Sequence, residues 1–138
     1  MKLFKTIALT VALISSNIAL AEVSVIVNIE NSDDLKRSNI KRIFLQKQKT
    51  FSNGQEIETA VLNSGEPATL DFNKKALKKS TSQMRAYFSK LVFTGSGSEN
   101  KQYNTAQEII DLVKGNPNAI GYIDSKDVTA DVKVVQTF

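Results

Sequence analysis

The side chains that most often perform acid–base and nucleophilic chemistry in proteins are missing from this chain of 138 residues. It contains no His and no Cys. The lack of His removes the commonest general base and metal ligand, and it rules out a Ser-His-Asp hydrolase. The lack of Cys excludes disulfides, thiolate metal sites and cysteine nucleophiles. We therefore expect no enzyme, no catalytic residues, no metal site and no cofactor.

Three polar groupings remain, and each has a plain structural explanation. Glu56 and Glu58 share one face of a predicted strand, but nothing in the sequence indicates the sugar cleft of a glycosidase. The lysines between positions 74 and 79 could attract anions, although such spacing usually marks a solvated helix face. The Gly-Ser segment 94–98 lacks the Lys-Ser/Thr ending of a phosphate loop, so we interpret it as a connector.

The N-terminal segment has the order of features that is typical of a signal peptide. Lys2 and Lys5 precede a short apolar run at 7–14, and Ala19-Leu20-Ala21 forms a small-x-small cleavage site. The run is too short to span a bilayer, and no later segment has the roughly 18 apolar residues that a membrane helix needs. We expect residues 1–21 to be removed and the protein to be periplasmic, without stable membrane insertion.

Hydrophobic periodicity divides the mature chain into alternating strands and helices. Residues 23–27 are nearly all apolar, as in a buried strand, and residues 57–62, 119–123 and 132–135 give three further strands. Helical spacing occurs in the regions near residues 40, 72, 84 and 106, which gives the order β-α-β-α-α-α-β-β. Strands separated by helices predict an α/β fold with a largely parallel sheet. We expect one domain over residues 22–138.

The longest predicted helix begins at a capping box formed by Ser80 and Gln83. Its apolar residues recur at the i, i+3, i+4, i+7, i+8 positions of one face. This spacing predicts an inward stripe made of Met84, Tyr87, Phe88, Leu91 and Val92. Arg85 is predicted to lie on the opposite side of the helix. A second capping box is predicted at Thr105 and Glu108.

Five segments resemble, in order and spacing, the substrate-binding proteins of phosphate ABC transporters. They are IFLQK (43–47), FSNGQEI (51–57), FNKKAL (72–77), YFSKLVFTG (87–95) and NPNAIGYI (116–123). The resemblance covers most of the mature chain. It implies a type II periplasmic-binding-protein fold, in which full-length members close two lobes around an oxyanion. Since this chain is about half that size, we expect a single three-layer lobe with a mainly parallel or mixed sheet of about four strands.

The ligand loop departs from the pattern of the family. Members grip the anion with an Arg and with a Ser-Gly-Thr at the next helix start. The resemblance places Leu62 or Asn63 at the Arg position and Glu66-Pro67-Ala68 at the Ser-Gly-Thr position. Glu66 would repel an anion and Pro67 has no N–H, while both suit a helix start for structural reasons. A shifted alignment leaves Asn63, Ser64, Gly65 and Thr69 as candidate ligand-binding residues.

Two functions from different classes follow from these observations. The first is a non-enzymatic periplasmic solute-binding-like protein that binds phosphate or another small oxyanion weakly and serves a membrane transporter or sensor. The alternative is an adaptor or structural module of an envelope complex that kept the fold and lost the anion site. A homodimer could supply the second lobe. Nucleic acid is not expected as a partner, because two of the 18 basic residues lie in the leader and the mature chain is nearly neutral.

Overall fold

The computed structural model describes residues 21–138, in which five strands and four α-helices alternate. The strands are β1 (Val23–Asn28), β2 (Glu58–Leu62), β3 (Lys101–Tyr103), β4 (Ala119–Asp124) and β5 (Val132–Thr137). The α-helices are α1 (Arg37–Phe44), α2 (Pro67–Phe72), α3 (Thr81–Phe93) and α4 (Ala106–Gly115). A π-helical turn at Asn73–Leu77 continues α2, and a 3₁₀ turn at Ser125–Asp127 follows β4. The predicted leader, apart from Ala21, lies outside the described residues.

The strands form one mixed sheet in the order β3-β2-β4-β1-β5. Strand β2 runs parallel to both β3 and β4, whereas β1 is antiparallel to β4 and β5. The predicted fold class is confirmed, with five strands instead of about four. The additional strand is β3, which has three residues at the sheet edge and lacks a buried apolar residue. Its short polar sequence carries no periodic signal by which it could have been predicted.

Two neighbouring residues of β4 show that helices cover both faces of the sheet. Successive strand residues point to opposite faces. Gly121 faces α4, since a Cβ atom placed on it would lie 2.6 Å from the Ile109 side chain. Tyr122 faces the other way, where its ring stacks on Phe72 of α2 at 4.1 Å and lies 5.9 Å from Phe44 of α1. The lobe therefore has three layers, as predicted.

Local sequence signals explain where several helices begin. In the predicted capping box of α3, the Ser80 hydroxyl accepts from the Gln83 N–H and the Gln83 side chain accepts from the Ser80 N–H. The Thr105 hydroxyl accepts from the Glu108 N–H at the start of α4, but the Glu108 carboxylate accepts from the Asn104 N–H instead. Pro67 occupies the first position of α2, as its fixed φ favours.

Helix α3 is less buried than its apolar stripe predicts. Of the five stripe residues only Phe88 is buried, and Val92 is 52% exposed. The hydroxyl of Tyr87 donates to the Leu45 carbonyl at 2.6 Å, which ties the helix to the end of α1. The stripe therefore covers a partly open space instead of a packed core. Among residues 21–138, no helix combines the length and hydropathy needed to cross a membrane.

Candidate functional site

A cavity of about 170 Å³ lies between helix α3 and the sheet face that carries Tyr122. Strands β2 and β3 form its floor, and α2 with its π-helical continuation forms one wall. Its apolar surface is provided by residues from five different elements: Phe44, Val61, Leu62, Phe72, Leu77, Met84 and Phe88. The space under α3 is thus a lined cavity with room for a group about as large as a benzene ring.

Polar side chains enter this cavity from several directions. Ser64 comes from the loop after β2, and Thr81 comes from the first turn of α3. The others are Thr69, Asn73, Arg85, Glu99, Asn100 and Gln102. A mainly apolar cavity with a few convergent polar groups is the usual form of a small-molecule site.

Arg85 lines the cavity, so its predicted position on the opposite side of α3 is wrong. It follows Thr81 by four residues and precedes Phe88 by three, which places all three side chains on one helical stripe. Phe88 also belongs to the apolar stripe, so Arg85 lies at the border of the apolar face, where spacing alone does not decide its side. Arg85 is the residue that can offer the cavity a permanent positive charge and a planar set of donors.

Asn73 presents an amide that makes no hydrogen bond within residues 21–138. The residue is only 9% exposed. No buried side-chain nitrogen or oxygen of the described residues is fully enclosed without a partner, so the amide keeps some accessible surface, and Asn73 is one of the residues that line the cavity. Asn73 therefore offers a donor and an acceptor to any occupant of the cavity.

Thr69 reaches the cavity wall, but its hydroxyl is already committed to internal hydrogen bonds. The hydroxyl donates to the Leu62 carbonyl at 3.0 Å and accepts from the Tyr122 hydroxyl at 2.9 Å. Burial raises the pKa of Tyr122 to about 12, and its hydrogen bonds offset only part of this rise. Thr69 thus helps to hold α2 against β2 and β4.

The other three predicted ligand residues lie in different places, one at the cavity and two away from it. Ser64 lines the cavity and is exposed. Asn63 turns toward the loop after β3, where its amide donates to Asn104 at 2.7 Å. Gly65 lies in the exposed turn and is not among the residues that line the cavity. The structure therefore brings Ser64 and Thr69 together at the cavity but places Asn63 and Gly65 outside it.

The start of α2 provides few donors for an anion. Pro67 has no N–H, and the N–H groups of Thr69 and Leu70 both donate to the Glu66 carbonyl, at 3.0 and 3.1 Å. Glu66 precedes the helix as its N-cap residue and its side chain makes no capping hydrogen bond. The position where the family resemblance expects a Ser-Gly-Thr therefore has the geometry of an ordinary helix start.

Asn100 lines the cavity, and its side chain connects neighbouring elements through three hydrogen bonds. Its amide donates to the Phe44 carbonyl at 2.9 Å, and its oxygen accepts from Gln46 at 2.5 Å and from Thr59 at 2.7 Å. These bonds join the end of α1 and the start of β2 to the residue that precedes β3. Sequence reasoning did not identify Asn100 or its neighbour Glu99, because both lie in a segment without helical or strand periodicity.

Comparisons with solved structures place this architecture among known folds. An ABC-type phosphate transport receptor from Vibrio cholerae aligns over 84% of this chain and 46% of its own, with 19% identity and a TM-score of 0.56. PstS from Borrelia burgdorferi aligns over 83% and 46%, with 13% identity and a TM-score of 0.63. A Clostridium perfringens protein described as a phosphate ABC transporter substrate-binding protein, with bound phosphate, aligns over 84% and 44%, with 21% identity and a TM-score of 0.65.

The fold is periplasmic-binding-protein-like. The predicted resemblance to phosphate ABC-transporter substrate-binding proteins is thereby confirmed at the level of the fold. The chain spans less than half the length of these solved structures, as a single lobe would. No protein-family model matches the chain, and no curated protein matches it.

Proposed function

We propose that this protein is a non-enzymatic, periplasmic, solute-binding-like protein that binds a small oxyanion weakly and serves a membrane transporter or sensor. The observation that carries the proposal is the cavity under α3, which is lined by both Arg85 and the buried residue Asn73. The similar structures support phosphate as the first ligand to test, since their names describe phosphate receptors and one of them holds phosphate.

Arg85 is the group that we propose to attract the anion. Its guanidinium can donate two parallel hydrogen bonds to one oxyanion, which gives both energy and orientation. Among the four residues expected from the sequence, Ser64 is the one that we propose as a direct ligand contact. Thr69 would act indirectly by fixing the start of α2, while Asn63 and Gly65 would shape the adjoining loop.

Weak binding is expected for two physical reasons. Arg85 is exposed, so water and salt screen its charge. Glu99 lines the same cavity and repels an anion. A homodimer that supplies a second lobe stays a prediction.

Isothermal titration calorimetry of the purified protein with phosphate, and with sulfate for comparison, tests the proposal. We expect a Kd between about 10 μM and about 1 mM, which is roughly −7 to −4 kcal/mol. Arg85→Gln should raise this Kd at least about tenfold, since a charge-assisted pair is lost. Lys90→Gln is the matched control, because Lys90 is exposed on α3 and does not line the cavity. Equal effects of the two variants, or no heat at millimolar phosphate, would contradict the proposal.

The adaptor function is the second candidate, and the end of α3 favours it. Phe93 is 93% exposed and its neighbour Val92 is 52% exposed. Adjacent exposed apolar side chains are common in protein-binding surfaces. Glu66 and Pro67 also favour this function, because they stand where the family resemblance expects the anion-binding Ser-Gly-Thr. Photocrosslinking from position 93 in intact cells should capture one envelope protein under either function. Capture that is equal in the wild type and in Arg85→Gln would support the adaptor, whereas capture that falls in Arg85→Gln would support the solute-binding function.

Export can be tested separately from ligand binding. The leader predicts that the precursor is cleaved after Ala21 and accumulates in the periplasm. Fractionation of bacterial cells followed by N-terminal sequencing should give Glu22 as the first residue. An uncleaved cytoplasmic product would refute the proposed localisation without bearing on the cavity.

A further inference from the structure

The cavity under α3 has two opposite charges, and neither is neutralised within the described chain. Arg85 comes from α3, and Glu99 comes from the segment before β3. The ion pair present among residues 21–138 joins Lys114 to Asp131, far along the chain from either residue. The hydrogen bonds of the described side chains also leave out both Arg85 and Glu99. A positive and a negative group are therefore both available to one occupant.

The apolar surface of the cavity is poorly matched to an inorganic anion. Seven apolar residues line it, including Phe72 and Phe88 with their buried rings. An ion such as phosphate gains nothing from these side chains, and it meets the carboxylate of Glu99 as a like charge. A ligand with an apolar group would gain about 25 cal/mol for each Å² of surface removed from water.

The volume limits how large that apolar group can be. An engineered apolar cavity of about 150 Å³ is known to hold a benzene ring. The cavity of about 170 Å³ therefore suits one aromatic or branched aliphatic side chain. The charged head of the ligand would then lie toward Arg85 and Glu99, which are exposed, while Asn73 is buried beside the apolar part.

From these features we infer that the cavity selects a small zwitterion with one apolar side chain, of the α-amino acid class. The carboxylate of the ligand pairs with Arg85 and its ammonium group pairs with Glu99. The amide of Asn73, which makes no hydrogen bond within residues 21–138, supplies a further donor and acceptor. This inference rests on the proposed solute site and names a different class of occupant from phosphate.

The two charges make the inference testable with ligands that lack one of them. L-leucine and L-phenylalanine are compared by calorimetry with 4-methylpentanoate, which lacks the ammonium group, with isopentylamine, which lacks the carboxylate, and with phosphate. We expect each single-charge analogue to bind the wild-type protein at least about tenfold more weakly than the amino acids. A 4-methylpentanoate affinity equal to that of L-leucine would overturn the inference.

Variants of the two charged residues provide the internal control. Glu99→Gln should weaken L-phenylalanine binding about tenfold and strengthen 4-methylpentanoate binding, because the repulsion of its carboxylate is removed. Arg85→Gln should weaken both. Glu66→Gln is the matched control, since Glu66 is an exposed carboxylate outside the cavity. An unchanged L-phenylalanine affinity in Glu99→Gln would overturn the inference.

The results also separate this inference from the proposed function. Phosphate binding that depends on Arg85, without amino acid binding, would overturn the inference and leave the proposed function intact. Amino acid binding that depends on Arg85 and Glu99, without phosphate binding, would support the inference and remove phosphate as the ligand of the site. Absence of heat with every probe would overturn both and favour the adaptor.

Discussion

The hydroxyl of Tyr122 donates a hydrogen bond of 2.9 Å to the hydroxyl of Thr69, which in turn donates to the Leu62 carbonyl. This relay joins β4 to α2 and to the end of β2, beneath the cavity. It explains why a threonine that the sequence suggests as an anion ligand has no hydroxyl proton to offer. The same relay makes two predictions about stability.

Tyr122 should make the protein less stable in alkaline solution. Its pKa is about 12 in the fold, because burial disfavours the phenolate, and about 10 in the unfolded chain. Below pH 10 both states keep the proton, so the contribution to stability is complete. Between about pH 10 and 12 only the unfolded state releases it, and roughly 2 to 3 kcal/mol is lost. Urea denaturation of wild type and Tyr122→Phe from pH 8 to 11 should show a shallower decline in the variant. Parallel declines would contradict the assigned burial of this hydroxyl.

Thr69→Val should destabilise the fold by about 1 to 3 kcal/mol, because the buried Tyr122 hydroxyl loses its acceptor while the volume of the side chain is kept. Ser64→Ala is the control at the same cavity and should change stability by less than about 0.5 kcal/mol, since Ser64 is exposed. Chemical denaturation measures both. Equal effects would mean that Thr69 does not have the structural role given to it here.

The capping box of α3 should also be measurable. Ser80→Ala removes the acceptor for the Gln83 N–H and should cost about 1 kcal/mol of stability. Ser82 is the second residue of the same helix and is exposed. Ser82→Ala should therefore have little effect or stabilise the helix slightly. A comparison of the two denaturation midpoints tests the cap. A midpoint for Ser80→Ala at or above that of Ser82→Ala would refute it.

Gly121 is required by the close packing of α4 on the sheet. A Cβ atom there would lie 2.6 Å from the Ile109 side chain and 3.1 Å from the Ala60 carbonyl oxygen. Gly121→Ala should therefore destabilise the protein by about 1 to 3 kcal/mol through overpacking. Gly65→Ala is the matched control, because a Cβ atom on Gly65 meets nothing within 4 Å. Thermal unfolding should separate the two variants clearly, and similar midpoints would contradict the packing described.

Sequence patterns predicted the parts of the fold that repeat regularly. The apolar run at β1 and the spacing of Ile40, Ile43 and Phe44 in α1 correctly indicated buried elements. They could not predict β3, since an edge strand of three residues forms by pairing with β2 and not by its own pattern. Its existence depends on tertiary contacts, which a local pattern does not contain.

The site was harder to predict than the fold for a related reason. The apolar stripe of α3 indicates which face turns inward, but it does not indicate that a cavity lies beneath it. Arg85 lies at the border of that face and could be assigned to either side from spacing alone. Glu99 and Asn100 precede β3, and only the fold brings them beside α3. Their roles therefore depend on the assembled structure.

The central claim is that a small solute binds in the cavity under α3. Chemical-shift mapping by ¹⁵N NMR, with phosphate and then L-phenylalanine added up to about 10 mM, tests it most directly, because it detects a Kd as weak as about 1 mM and locates the site. Binding in this cavity should give saturable shifts that cluster at Ser64, Asn73, Thr81 and the side chain of Arg85. Shifts that cluster instead at the lysines between positions 74 and 79, or no saturable shift with either ligand, would contradict it.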